Sequence, residues 1–302
     1  MQRMARSLVS FLPGLVIMML CPLTVHAQDR TLEWKFKLGD KFQLVTNSEL
    51  KQTIKATRQE EQKLETNYVI TSNFEVTKAS DEMYELKQTI ESIKIQAPSG
   101  LAPSKLYQQL QGVTFTLTLN KDKQLTKLEG YEEMMKKVTS DDPNLRRVVQ
   151  TILPEDTLRT SVQESIAFLP GKSVTPSQKW ERSFTMALGS LGSMQVTNQY
   201  TYEKDETVQN EMVSVIKVLP RFQYQSPRVD PVGLPMQVLK GSVQVEPANG
   251  TIWFDRLNGR LVKSEMTLHL KGKFDVRTGG QEATVEIEQD QKVEIKRVDV
   301  TK

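Results

Sequence analysis

Apolar and polar residues alternate without a break over Val113-Thr-Phe-Thr-Leu-Thr-Leu119. A period of two puts successive side chains on opposite faces, so this run predicts a strand with one apolar and one hydroxyl-lined face. The same period governs most of the chain after Thr31. Trp34, Phe36 and Leu38 alternate with Glu33, Lys35 and Lys37, and Gly39-Asp40 supplies a turn. Long polar-rich runs over 42–55, 67–78 and 83–95 follow, and 124–128 returns from a turn at 120–123. Strand periodicity resumes near Lys179. It passes through Thr251-Ile-Trp-Phe254 and the hairpin signal Asn258-Gly259. The return strand sets Met266, Leu268 and Leu270 against Thr267, His269 and Lys271, and a final pair is expected at 282–289 and 291–300. Such alternation belongs to antiparallel sheets with one solvated face. The predicted class is mainly β (α+β), with two antiparallel meander halves forming curved sheets or a half-open barrel around short helices in the middle segment. The halves echo one another. Lys41-Phe42 matches Lys179-Trp180 at an offset of 138, and the hairpin at Leu119 and Leu125 matches that at Phe254 and Leu261 at about 135. Duplication and chance similarity of two meanders both remain open.

Residues 131–169 break the period. Tyr131, Met134, Met135 and Val138 stand at i, i+3, i+4 and i+7, as do Leu145, Val148, Val149 and Ile152. Leu158, Val162 and Ile166 extend the stripe into a third helix. Asp142-Pro143 forms an N-cap and first-turn pair, and Pro154-Glu155-Asp156 opens the third helix. Helices this short are marginal alone and need an apolar surface to dock on. The predicted organisation is a signal peptide over 1–27, an N-terminal β half over 28–130, a helical segment over 131–169 and a C-terminal β half over 170–302.

The single long apolar run, 8–20, follows Arg3 and Arg6 and precedes Val25-His26-Ala27. That order predicts a signal peptide cleaved between Ala27 and Gln28, and an exported protein, periplasmic or extracellular. Pro13-Gly14 interrupts the run, which makes a retained anchor the weaker reading. Lipid attachment at Cys21 is also weaker, because Leu20 stands where a tiny residue is usual. Cleavage leaves no stable membrane span and lowers the formal charge from +3 to +1, since Arg3 and Arg6 depart with no acid. It also removes Cys21 and His26, leaving no thiol and His269 as the lone imidazole. Stability then has to come from burial and strand pairing rather than disulfides.

Several of these segments resemble an uncharacterised family of secreted bacterial β-rich proteins, a domain of unknown function. The resemblance rests on Trp34-Lys-Phe-Lys-Leu-Gly-Asp-Lys-Phe42, on Phe168-Leu-Pro-Gly-Lys-Ser-Val174 followed by Lys179-Trp180, and on Gly250-Thr-Ile-Trp-Phe-Asp255 with Gly259-Arg-Leu-Val262 and Ser264-Glu265-Met266. It departs at Pro176-Ser177-Gln178, where the family pattern more often has Gly-Asp before the aromatic. The resemblance implies no activity. A looser fold-level likeness is to half-open β-barrel envelope lipoprotein carriers, which by itself licenses no function.

The chemical inventory excludes more than it supports. With 40 basic and 37 acidic residues the chain has no electrostatic footprint for nucleic acid. Lys35, Lys37 and Lys41, and Lys292, Lys296 and Arg297, interleave with Glu33, Asp40 and Glu294 and read as a solvated face. His269 lies on a polar strand face with no nucleophile elbow nearby, so it reads as a solvated histidine rather than a base. Imidazole and thiolate metal sites lack ligands. The acids at 140–142 and 155–156 read as helix starts, and Gly189-Ser-Leu-Gly192 and Gly279-Gly280 as turns rather than phosphate cradles. No catalytic residue, metal or cofactor is expected.

What remains is apolar. Met134, Met135, Met186, Met194 and Met212 are adaptable fillers suited to a core or a pliable cavity. The leading expectation is an exported, non-enzymatic binding protein for an apolar ligand or another envelope component. The ligand is placed between Val113, Phe115, Leu117 and Leu119 on the strand and Met134, Met135, Val148 and Val149 on the helices. The alternatives are a protein–protein interaction or assembly module using strand edges and the loop at 220–235, and a carboxylate-based hydrolase.

Overall fold

The computed structural model describes residues 30–57, 59–97, 107–188, 192–208, 211–227 and 236–299. The signal peptide, its cleavage site and Cys21 lie outside the described residues. The first meander comprises β1 (Lys41–Ala56), β2 (Gln62–Ala79), β3 (Met83–Gln96), β4 (Thr114–Asn120) and β5 (Leu125–Glu129). Three helices follow: α1 (Tyr131–Thr139), α2 (Pro143–Ile152) and α3 (Glu155–Ala167). The second meander comprises β6 (Lys179–Ala187), β7 (Ser193–Val208), β8 (Glu211–Gln225), β9 (Met236–Val245), β10 (Asn249–Asp255), β11 (Arg260–Thr278) and β12 (Gln281–Asp299).

All twelve strands join one antiparallel sheet in the order β5-β4-β3-β2-β1-β12-β11-β10-β8-β7-β6, with β9 continuing the pairing of β11 beyond β10. The sheet does not close; β5 and β6 are its edges. The class is therefore mainly β, with short helices in the middle, as the alternation predicts. The seam between the meanders is the long ladder of β1 on β12, from Phe42 opposite Asp299 to Ala56 opposite Val285.

This order dictates where the helices go. The chain leaves β5 at one edge and must enter β6 at the other, so residues 130–178 cross the sheet. They cross on the face bearing Phe115, Leu117 and Leu119, called here the inner face. Tyr131, Met134, Met135 and Val138 of α1 are buried against Val113, Phe115, Leu117, Leu119 and Leu128. Each such side chain contributes roughly 1.5–3 kcal/mol on leaving water. Glu132 and Glu133 begin α1 and Lys136 and Lys137 end it, in the sense that the helix dipole favours. Asp142 caps α2 by accepting from the backbone N–H groups of Asn144 and Leu145, and Pro143 occupies the first turn. The edge strand β5 is covered by α3: Gln163 Oε1 accepts from Leu125 N at 2.6 Å, and Arg159 donates to Leu125 O and Thr126 O. A second cluster, Leu32, Phe168, Leu169, Val174, Tyr200, Tyr202, Ile216, Val218 and Phe254, fills the β7–β8–β10 side.

Three expectations are corrected. Residues 33–38 are not a strand but an extended strap across the inner face, tied by one bridge between Thr31 and Ser173. Trp34 and Phe36 alternate because they drop into the core between helix and sheet, whereas Leu38 is 68% exposed. The final pair of strands is one continuous strand, β12. The polar stretch Glu288-Gln-Asp-Gln291 resembles a turn, but Ile287, Val293 and Ile295 keep one parity across it, and the real turn is Gly279-Gly280. Finally, Pro220 does not open a loop. It lies buried inside β8 opposite Asn198, where the β10 ladder has already ended at Val218. Residues 228–235 of that expected loop lie outside the described residues.

Candidate functional site

Seven of the eight residues predicted to line a ligand site converge on the inner face. Val113, Phe115, Leu117, Leu119, Met134, Met135 and Val149 are all buried, and they belong to one packed cluster. Val148 does not join them; it is 45% exposed. The reason is geometric. Adjacent helical residues point about 100° apart, and α2 touches the core along a narrow stripe that Val149 occupies. Leu145, on the same predicted stripe, is likewise exposed. Of the remaining methionines, Met194 is buried and Met212 is exposed.

The open space lies beside this cluster, under α3. A half-open cavity of about 290 Å³ is lined by Trp34 and Phe36 of the strap, Phe42, Leu44 and Thr46 of β1, Ser72 and Phe74 of β2, Leu86 and Gln88 of β3, Leu117, Val162 and Ile166, and Leu261, Ile295 and Arg297. Only Leu117 of the predicted lining faces it. Strand parity explains the membership. Phe42, Leu44 and Thr46 share a face, and the register sets Leu44 opposite both Ser72 and Arg297. The α3 hydroxyls at the roof are already engaged, Ser161 donating to Thr157 O and Ser165 to Val162 O. The wall is therefore mostly apolar, with few polar groups left to orient a guest.

Aromatic packing fixes the walls. Trp34 stacks on Phe36 at 5.6 Å, meets Phe168 and Phe254 edge-on, and donates its indole N–H to Ile166 O at 2.8 Å. Phe42 stacks on Phe74 at 5.0 Å, and the Arg297 guanidinium lies over the Phe42 ring at 4.6 Å. Away from the helices the inner face continues as half-buried Leu50, Tyr68, Leu268 and Leu270.

None of these lining residues except Leu117 was singled out from sequence as part of a site. The signal was present as alternation in β1 and β12. What was missing is that β12 crosses back to pair with β1, which brings Ile295 and Arg297 beside Leu44.

The opposite, outer face holds a shallower groove of about 480 Å³ beside His269. His269 Nδ1 meets Asp290 Oδ1 at 2.6 Å, and Nε2 faces Glu288 at 3.4 Å and Glu246 at 3.6 Å. Lys271 bridges Glu288 and Glu246 from the next outer position. Nε2 thus faces carboxylates rather than a hydroxyl. No group of three or more His, Cys, Asp or Glu placed to hold a metal occurs among the described residues. No helix among them is long and apolar enough to cross a membrane.

Comparison with known proteins adds the following. The model of a family of unknown function, DUF6263, matches residues 65–259, more than half of the chain. No curated protein matches the sequence. Among solved structures, lipovitellin, described for its lipid–protein interactions, aligns over 89% of this chain at 12% identity and a TM-score of 0.42. The chain spans only 26% of the lipovitellin chain. A protein of Bacteroides fragilis with a YmcC-like fold aligns over 86% of this chain and 97% of its own, at 9% identity and a TM-score of 0.30. A LolA superfamily protein of Nitrosomonas europaea aligns over 87% and 90%, at 10% identity and a TM-score of 0.16.

Proposed function

We propose, for a chain that belongs to the family of unknown function DUF6263, that it is an exported, non-catalytic binding protein which takes an apolar ligand into the cavity under α3. The observation that carries this reading is the cavity itself: about 290 Å³ of space between a helix and the inner face of an open sheet, walled mainly by aromatic and aliphatic side chains. Its volume lies just below the ~300–1,000 Å³ usual for small-molecule sites, which suits a single apolar chain or ring system. Export is supported by the signal-like order of residues 1–27, and the absence of catalysis by a chemical inventory with no thiol and one imidazole beyond that segment.

Filling the cavity tests the reading. Thr46 is half-buried on β1 and lines the space, and a bulky aromatic is at home in a strand. The native protein is expected to enhance the fluorescence of the apolar dye phenylnaphthylamine, and Thr46→Trp to abolish that enhancement with an unchanged circular dichroism spectrum. A native protein that leaves the dye dark, or a folded variant that binds it equally well, would remove the basis of the proposal.

A further inference from the structure

We infer that the ligand of this cavity is a single-chain amphiphile with an anionic head group, held at the mouth by Arg297. The inference rests on the binding function proposed above and specifies its ligand class. A second, smaller cavity of about 130 Å³ adjoins the apolar one and shares Trp34, Phe36, Phe42 and Arg297 with it. The two differ in chemistry. The smaller one is lined by the cations Lys35, Lys37, Lys41, Arg260 and Arg297 against the single acid Asp40. A greasy compartment opening into a basic vestibule matches a molecule that is apolar along its length and negative at one end.

Position points to Arg297, which alone of these cations lines both cavities. Lys41 is drawn to Glu75 at 3.2 Å, Arg260 is held by Asp255 at 3.0 Å and by Glu211, and Lys35 donates to Leu257 O. Arg297 stands with its guanidinium over Phe42, at the junction of the two cavities. Its Nε donates to Asp299 at 2.9 Å, and among the described residues that is its one side-chain hydrogen bond. Guanidinium has four further N–H donors in a planar fork that suits a carboxylate or a phosphate. Asp299 is 65% exposed on its side chain and also faces Arg260 at 3.7 Å, so it stands where a ligand anion would compete. Aromatic and aliphatic walls lower the local polarity, which strengthens such a charge-assisted contact relative to open water.

Laurate, dodecyl phosphate and dodecanol share one chain length and differ only at the head, and inorganic phosphate supplies an anion without a chain. Titration by calorimetry is expected to show laurate or dodecyl phosphate bound about tenfold more tightly than dodecanol, with inorganic phosphate alone not competing. Arg297→Gln should erase the preference for the anion while dodecanol binding persists. Asp299→Asn, which removes the competing carboxylate, should tighten the anionic ligand and leave dodecanol unchanged. If the native protein binds dodecanol and laurate equally and neither variant changes the ratio, the head-group inference is overturned while the apolar cavity stands. Displacement of laurate by inorganic phosphate, with no dodecanol binding, would replace the amphiphile by a free anion. If no chain-bearing molecule binds at all, the cavity reading itself fails.

Discussion

Ser177 holds φ at +66°, a conformation that costs an L-residue roughly 1–2 kcal/mol. A turn of the same design lies 138 residues upstream, where Gly39 takes φ +81°. Gly39 N donates to Val76 O, Asp40 N to Lys37 O, and Val76 N to Asp40 O. Ser177 N donates to Tyr202 O, Gln178 N to Thr175 O, and Tyr202 N to Gln178 O. Even the side-chain contact recurs, Lys37 N donating to Asp40 and Thr175 N to Gln178. The departure from Gly-Asp at this site therefore alters the residue and keeps the geometry. Ser177→Gly is expected to stabilise the protein by about 1 kcal/mol, a rise of about 2 °C in melting temperature for a chain this long. Gly39→Ala should do the reverse, because a Cβ there meets no neighbouring atom and only the backbone objects. Equal melting temperatures for Ser177→Gly and the native protein would mean that the turn does not carry this strain.

At the scale of the element, α2 separates what the sequence could say from what it could not. Hydrophobic spacing located the helix, and Asp142-Pro143 located its start. Spacing could not say how wide a stripe the sheet would cover, because that depends on the tilt with which α1 and α3 pack around it. The outcome is that Val149 is 4% exposed and Val148 is 45% exposed. Val149→Asp should cost more than about 3 kcal/mol, since it buries a charge without a partner, whereas Val148→Asp should change stability by less than about 0.5 kcal/mol. Thr116→Asp, half-buried on the opposite face of β4, should resemble Val148→Asp. Urea unfolding of the three variants decides the matter; similar losses for Val148→Asp and Val149→Asp would deny that α2 presents one face. The strands follow the same division. Parity within β1 and β12 was readable, as was the strand class of the chain. Which strand lies beside which was not, because the β1–β12 ladder joins residues some 240 positions apart. The cavity sits across that junction, and so its lining could not be assembled from local pattern.

The two meanders are tied together by the β1–β12 ladder, by α3, which packs on both β5 and β6, and by Trp34. Trp34 packs against both the cluster under α1–α3 and the cluster around Tyr200 and Phe254. Loosening one cluster therefore exposes the other. The tyrosines of the second cluster provide a way to load that coupling. Tyr200 and Tyr202 are 4% and 1% exposed, and burial pushes both phenols up from 10.0 to about 12; at Tyr202 the neighbouring Asp205 adds to the shift. Below pH 10 both phenols are protonated in folded and unfolded chains alike, and they leave stability unaffected by pH. Between pH 10 and 12 the unfolded chain releases these protons while the folded chain still holds them. Stability then falls as pH rises, by on the order of 2 kcal/mol per tyrosine across the window. Because Trp180 stacks on Tyr200 at 5.6 Å and Trp34 reaches the other cluster, tryptophan fluorescence and far-ultraviolet circular dichroism report on both halves. In thermal melts repeated between pH 9 and 12, the midpoint should begin to drop near pH 10, and the two signals should remain coincident at every pH. Fluorescence that melts ahead of the circular dichroism would instead mean that the second cluster opens by itself. The sheet would then be two cooperative units that share a seam, and the cavity across that seam would lose one wall before the rest of the protein unfolds.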